Sequence, residues 1–304
     1  MHEEKYTVET ESPVRIDRYL SSVSDLSRTR VQELCEEGKV KVNGKSVKSS
    51  FKVENGMEIT AEVPENTEIE VLPENIPLDI LYEDSDIIVI NKPKGMVVHP
   101  APGNEHGTLV NALLYHCHDL SGINGKIRPG IVHRIDKDTT GCLVACKNDM
   151  AHRAIAAQLA DKTCHREYKT VVEGILEHDA AVIDAPIGRD PRDRQRMAVT
   201  DIHSREARTH YRVIERFRDT TYAECRLETG RTHQIRVHMK YCGHPVLGDE
   251  KYGHKCKIMD TQGQVLHAYK LTLIHPSSGK EMSFEAPLPA YFEELLALLR
   301  KQKG

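Results

Sequence analysis

The chain has 304 residues, of which 39% are hydrophobic and 29% charged; its formal net charge is −4 at pH 7 and it has no tryptophan. These values exclude a disordered polymer and leave room for one large domain or two smaller ones, with a core built from Val, Ile, Leu and Ala. Aliphatic runs such as Ile87-Ile88-Val89-Ile90 are strand length, too short to span a bilayer, and Met1-His2-Glu3-Glu4-Lys5 has neither the basic nor the apolar region of a secretory signal, so a cytoplasmic protein without membrane attachment is expected.

In chain order, Ile16, Tyr19, Leu20 and Val23 share one helical face. Ser27 caps a second helix that buries Val31, Leu34 and Cys35 and stops at Gly38. Lys39-Val40-Lys41-Val42 alternates like a half-buried strand, Asn43-Gly44 is a type I′ hairpin signal, and Lys45-Ser46-Val47-Lys48 returns. Two short helices and a lysine-bearing hairpin, with Arg15-Ile16-Asp17-Arg18-Tyr19-Leu20 and Ser27-Arg28-Thr29-Arg30-Val31, resemble the S4 RNA-binding domain. The resemblance implies that Arg28, Arg30, Lys39 and Lys41 present cations to structured RNA.

Residues 65–78 are rich in Pro, Glu and Asn and read as an extended tether, in which Ile69 and Val71 alternate as an edge strand would. The expected division is therefore a small module over 1–64, a linker over 65–78 and a main domain over 79–304. That domain opens with strands at Ile80–Asp84 and Ile87–Pro93, followed by a helix from Thr108 to about Tyr115 that buries Leu109, Ala112 and Leu113. Asp149 caps a helix to about Asp161, with Ile155 and Leu159 inward. Strands follow at Tyr168–Gly174, Thr209–Ile214 and Tyr222–Leu227, and the last helix places Phe292, Leu295, Leu296 and Leu299 on one face. Many strands without strict strand–helix alternation predict an α+β fold with an antiparallel-rich mixed sheet.

Eight cysteines are scattered without a C-x-x-C pair, as expected of small buried hydrophobes in a reducing compartment. His116-Cys117-His118 lacks a second ligand cluster at suitable spacing, so no metal is expected. Charge is uneven: residues 186–240 hold twelve Arg and one Lys against four Asp and four Glu, a surplus of five positive charges on an acidic chain. Arginine dominance suits planar, bidentate phosphate contact.

The most informative segment is His133-Arg134-Ile135-Asp136-Lys137-Asp138-Thr139-Thr140-Gly141-Cys142. It sets one aspartate in a loop between the apolar runs Gly130–Val132 and Cys142–Cys146, with an arginine two residues upstream. An ionised carboxylate beside a cation is a competent nucleophile. Asp138 reads as a turn cap, with Lys137 and Arg134 as the expected neighbours of Asp136. Around the loop lie Asn91-Lys92-Pro93-Lys94-Gly95 with Val97-Val98-His99-Pro100, then Arg166-Glu167-Tyr168, then Gly230-Arg231-Thr232-His233-Gln234-Ile235-Arg236-Val237-His238, followed by Gly243-His244-Pro245-Val246-Leu247-Gly248-Asp249. If the segment around Arg236 is a strand, Arg231 and His233 share one face, and Arg236 and His238 the other.

Four blocks in this order over residues 76–290 resemble the RluA family of RNA pseudouridine synthases, with Ile135 for the usual Leu and Thr140 for the usual Ser. The resemblance implies that Asp136 is the catalytic carboxylate, that Tyr168 lies against the target uracil, that Arg236 pairs with Asp136, and that Arg134 fills the gap left by the extruded uridine. Arg231 and His233 are further candidates for RNA contact. The reaction exchanges an N1–C1′ bond for a C5–C1′ bond with no redox change, so no cofactor is expected, and the chain has no P-loop and no GxGxxG after a strand. Base extrusion costs a few kcal/mol, to be offset by inserted side chains and phosphate contacts. The S4 module and the Lys137-Asp138-Thr139 form of the loop point to large-subunit ribosomal RNA as partner, with the chain acting as a monomer. Competing readings are a tRNA pseudouridine synthase, a non-catalytic RNA-binding assembly factor, and an Asp-nucleophile hydrolase of small substrates; the retained aspartate opposes the second, the S4 module and arginine stretch the third.

Overall fold

In the computed structural model, described over residues 2–24, 26–63, 71–101, 103–123, 125, 128–193 and 195–302, the chain divides into two compact units, Met1–Glu68 and Ile69–Gly304. Among the described residues no helix is long and apolar enough to cross a membrane.

The first unit comprises β1 (His2–Thr7), β2 (Val14–Arg15), α1 (Ile16–Val23), α2 (Arg28–Glu36), β3 (Val40–Val42), β4 (Lys45–Ser46), β5 (Lys52–Val53) and β6 (Glu58–Val63). Its main sheet has the order β1-β6-β3-β4. Ser27 caps α2 by accepting from the Arg30 amide, and Asn43 and Gly44 turn the β3–β4 hairpin with φ of 48° and 79°. Ile16, Leu20, Val31 and Leu34 interlock with Val40 and Ile59 in one aliphatic core. Val23, at the last turn of α1, is instead exposed, because the helix ends there.

The second unit comprises β7 (Ile80–Glu83), β8 (Ile87–Lys92), α3 (Leu109–His116), β9 (Thr140–Cys146), α4 (Asp149–Ala160), β10 (His165–Glu173), β11 (Ala180–Asp184), β12 (Ile187–Arg189) and β13 (Met197–Val199). It continues through β14 (Arg208–Arg216), β15 (Thr220–Leu227), α5 (Gln234–Tyr241), β16 (Leu266–Ile274), β17 (Glu281–Glu285) and α6 (Ala290–Lys301). Its sheet runs β11-β14-β15-β10-β16-β9-β8-β7, with β17 also on β16. Every pairing in it is antiparallel except β16 with β9, which is parallel. The fold is thus α+β with an antiparallel-rich mixed sheet.

Helices cover both faces of the sheet near β8 and β9, which explains their unbroken apolar runs. Ile88, Ile90, Leu143 and Ala145 point into the core that holds Leu109 and Leu113 of α3. Ile87, Val89, Val144 and Cys146 point the other way, toward Ala151 and Ile155 of α4. The cap of α4 is Asn148, whose side chain accepts from the Ala151 amide, and not Asp149.

Residues 65–70 of the expected tether, Ile69 among them, lie outside the described residues. Its remainder is held to α3: the Glu74 amide donates to the Asn111 carbonyl, and Asn111 Nδ2 donates to the Leu72 carbonyl. All eight cysteines are free thiols, and seven are buried.

Candidate active site

Asp136 sits in the loop that enters β9, close to the parallel β9–β16 junction. Ile131 bridges Ala145 before the loop, and Ile135 is buried within it. The Thr139 amide donates to the Asp136 carbonyl and closes the turn. From beneath, Lys92, fully buried at the end of β8, donates to the carbonyls of Pro93 (2.8 Å), Met96 (2.8 Å) and Lys137 (2.9 Å). Burial pulls its pKa down to about 7, but three carbonyls match the three donors of an ammonium.

The segment around Arg236 is a helix, not a strand. Ile235, Val237 and Met239 alternate with Arg236 and His238, but all of residues 234–239 are buried, so the polar members are satisfied internally and no helical stripe shows. The helix is entered through His233 in the left-handed region, φ 57°. Gln234 fixes this entrance: its Oε1 accepts from the Arg231 amide and from Thr229. His238 bonds Thr209 and the Ala185 carbonyl, far from any cleft role.

Folding brings Arg236 to Asp136: Nη1 donates to Oδ2 at 2.8 Å. The other edge of the guanidinium grips Asp249 in a bidentate pair, Nε to Oδ2 at 2.6 Å and Nη2 to Oδ1 at 2.8 Å. Burial alone would lower the Arg236 pKa; the Asp249 hydrogen bonds and the two carboxylate charges outweigh it and raise it. Asp249 also accepts from the Lys251 and Tyr252 amides. Asp136 has a second neighbour, His233, whose Nε2 lies 3.8 Å from Oδ1. The Met197 amide donates to Tyr252 Oη, and Tyr252 Oη meets His233 Nδ1 at 2.7 Å. This chain leaves Nδ1 as acceptor and the imidazole proton on Nε2, facing Asp136. Burial pushes the His233 pKa down to about 4, so the ring is neutral at pH 7.

Tyr168 on β10 lines the same cavity of about 80 Å³ as Asp136, Arg134, Arg231 and His233. Burial pushes its phenol up to about 12. Arg134 is exposed at the cavity's rim. Neither Arg134 nor Lys137, the neighbours expected for Asp136, forms an ion pair with it among the described residues; Arg236 and His233 take those places. Asp249, Lys92 and Tyr252 were not singled out by sequence. A lysine ending an isoleucine run, and an acid closing the quoted Gly243–Asp249 block, were the available signals.

Arg231, on the lining of that cavity, donates to the Glu206 carbonyl. In the first unit every cation singled out faces a carboxylate: Arg28 with Asp17 (3.0 Å), Arg30 with Glu33 (2.9 Å), Lys39 with Glu37 (2.6 Å) and Lys41 with Glu62 (2.8 Å). Asp17 is fully buried and also holds Arg15 and Gln32, which drives its pKa well below the carboxylate range despite burial. The arginine-rich stretch is likewise partly neutralised, through Arg208–Asp184, Arg212–Glu224 and Arg216–Asp179. Glu83 joins His116 and Cys117, with donor atoms within 4.8 Å, a neighbour the sequence did not suggest. Lys147 pairs with Glu83 at 2.8 Å, and burial pushes the Cys117 thiol up to about 11, so the cluster reads as an ion-pair group.

The family model described as RNA pseudouridylate synthase matches residues 86–241, and that of the S4 domain matches residues 14–59. An uncharacterised RNA pseudouridine synthase of Bacillus subtilis, YlyB, is 55% identical over 294 residues, covering 96% of both chains. Ribosomal large subunit pseudouridine synthase D of Zymomonas mobilis is 46% identical, covering 94% of this chain and 93% of its own. The solved human RNA pseudouridylate synthase domain containing 4 shares the fold, with a TM-score of 0.56 at 24% identity over 73% of this chain and 92% of its own.

Proposed function

Since the chain belongs to the RNA pseudouridylate synthase family and carries an S4 domain, we propose that it isomerises uridines of large-subunit ribosomal RNA, acting in the cytoplasm as a monomer, with Asp136 as the catalytic carboxylate. The RNA class is taken from relatives named for the large ribosomal subunit. The observation that carries the site is Asp136, held by one oxygen on Arg236 at 2.8 Å while its side chain still lines the cavity shared with Tyr168.

The reaction needs an anion at the sugar, a place for the detached base and a route for the C5 proton. Asp136 supplies the anion, either attacking C1′ or assisting loss of the base. Arg236 fixes the carboxylate and sets a positive charge beside it. Neutral His233 presents Nε2–H toward the other oxygen and adds no positive charge. Tyr168 forms a wall for the uracil, and its protonated hydroxyl suits a relay rather than a base. Arg134, at the rim, takes the space the uridine leaves in the RNA stack. The S4 unit adds cations of low cost to redirect, since solvent-screened ion pairs such as Lys41–Glu62 contribute little to stability. A phosphate can replace the carboxylate there.

The test is tritium release from large-subunit ribosomal RNA transcribed with [5-³H]uridine. Wild type is expected to release tritium stoichiometrically with its target sites, and Asp136→Asn to release none. Binding without release by the wild type would favour the non-catalytic assembly factor, and release from tRNA alone would move the substrate.

A further inference from the structure

Next to the active cavity lies a second one, of about 410 Å³. Its polar lining is His99, Arg128, His133, Arg134 and Arg166, and none of the described residues lining it is acidic. Three guanidiniums line it, and none of the three forms an ion pair with a carboxylate among the described residues. Two buried atoms on its wall, His99 Nδ1 and Arg166 Nε, have no hydrogen-bond partner among the described residues. Their side chains belong to residues only 6% and 8% exposed, so bulk water does not satisfy them as it would surface groups. Unsatisfied buried donors are costly and call for an explanation.

The Arg166 guanidinium packs closely against Gly230: a Cβ there would stand 2.5 Å from Nη1. Arg134, Arg166 and Gly230 line both cavities. The two cavities are thus neighbours that share part of their walls.

We propose that this second cavity is a phosphate subsite, in which Arg166 and Arg128, with His99, bind a backbone phosphodiester of the RNA beside the extruded uridine. The chemistry fits: guanidiniums offer paired donors to phosphate oxygens, and a partly buried site strengthens each charge-assisted bond. Burial, with Arg128 and Arg134 nearby, pushes the His99 pKa down to about 4. The ring is then a neutral donor or acceptor that adds a hydrogen bond without adding charge. His133 Nε2 accepts from the Val144 amide, which leaves its Nδ1 carrying the proton. A phosphate gripped here would orient the ribose toward Asp136, so the subsite would act mainly on substrate positioning. The assignment rests on the RNA-modifying reading above, and extends it from the reacting nucleotide to its backbone.

The experiment compares wild type with Arg128→Gln, Arg166→Gln and Arg166→Lys. Binding of a fluorescein-labelled uridine 20-mer is measured by anisotropy from low to moderate salt, and tritium release from ribosomal RNA gives kcat and KM. Arg128 is exposed, so its replacement does not threaten folding; thermal melting checks Arg166. Each Gln variant is expected to weaken 20-mer binding about tenfold and to reduce the salt-dependence slope by about one phosphate contact. KM should rise by a similar factor with kcat within about twofold, and Arg166→Lys should recover the slope but only part of the affinity. Unchanged slope and KM in both Gln variants, with active wild type, would overturn the subsite. Wild type that binds but never releases tritium would sink the enzymatic reading, while the slopes would still decide whether phosphate is bound here.

Discussion

Arg236 uses three of its five N–H donors on two carboxylates, and the two pairs have different work. The Asp249 pair is bidentate and buried on both sides, so it fixes the guanidinium plane. The Asp136 bond is single and belongs to a residue that must also meet substrate. Replacing Asp249 by Asn removes the charge that compensates a buried arginine. It is expected to cost about 3–5 kcal/mol in urea unfolding, as breaking a buried pair does. Asp136→Asn leaves that pair intact and is expected to cost at most about 1 kcal/mol while abolishing tritium release. Equal stability losses in the two variants would show that Asp249 does not carry the guanidinium. The same logic separates Arg28 from Lys41: Arg28 is tied to fully buried Asp17, whereas Lys41 and Glu62 are both partly exposed.

At the scale of elements, the parallel contact of β9 with β16 sets the loop that carries Asp136, and one glycine permits it. Gly141 has φ 107°, and a Cβ there would stand 2.2 Å from the Ala268 carbonyl oxygen, the residue it faces in the register. The obstacle is backbone, so β9 and β16 would have to part. Gly141→Ala is expected to destabilise by about 3 kcal/mol or more, from strain and overpacking together. Gly95→Ala, also at positive φ (79°) but with nothing within 4 Å, should cost only about 1–2 kcal/mol. Urea midpoints of the two variants check the difference. Sequence made the loop and most strands legible because period-two burial and turn residues are local signals. Residues 87–90 and 142–146 were legible in another way, as unbroken apolar runs of strand length buried on both faces. It hid α5, whose apolar residues alternate as in a strand while its arginine and histidine are satisfied by distant Asp249, Asp136, Thr209 and Ala185. Nor could it reveal Lys92 as the pin beneath the loop, because its three carbonyl partners only converge once β8 and the loop have folded together.

For the whole molecule, acid should act on the two units at different pH. The second unit holds buried histidines as neutral rings: burial pushes His99, His233 and His267 down to about 4 and His133 down to about 3, and it lowers His152 and His238 as well. Once unfolded, each takes up a proton from about pH 6.5 downward. Between roughly pH 6.5 and 4 the unfolded chain therefore binds more protons than the folded one, and stability falls as pH falls. The first unit has a single histidine in its sequence, His2. Its titrating feature is Asp17, whose depressed pKa contributes stability above the ordinary aspartate value of 3.8 and loses it only below that. Peptide-resolved hydrogen exchange at pH 7.5 and 5.5, corrected for intrinsic rates, can separate the two. Peptides from β8, β9, β10 and β16 are expected to lose protection by at least about tenfold at pH 5.5, while those from β1, β6 and α2 hold theirs. Equal loss in both units, or none in the second, would show that the buried histidines do not govern the acid response. In that event the neutral His233 beside Asp136 would also have to be reconsidered, because the same burial that makes the rings acid-sensitive is what leaves Arg236 as the carboxylate's cationic partner.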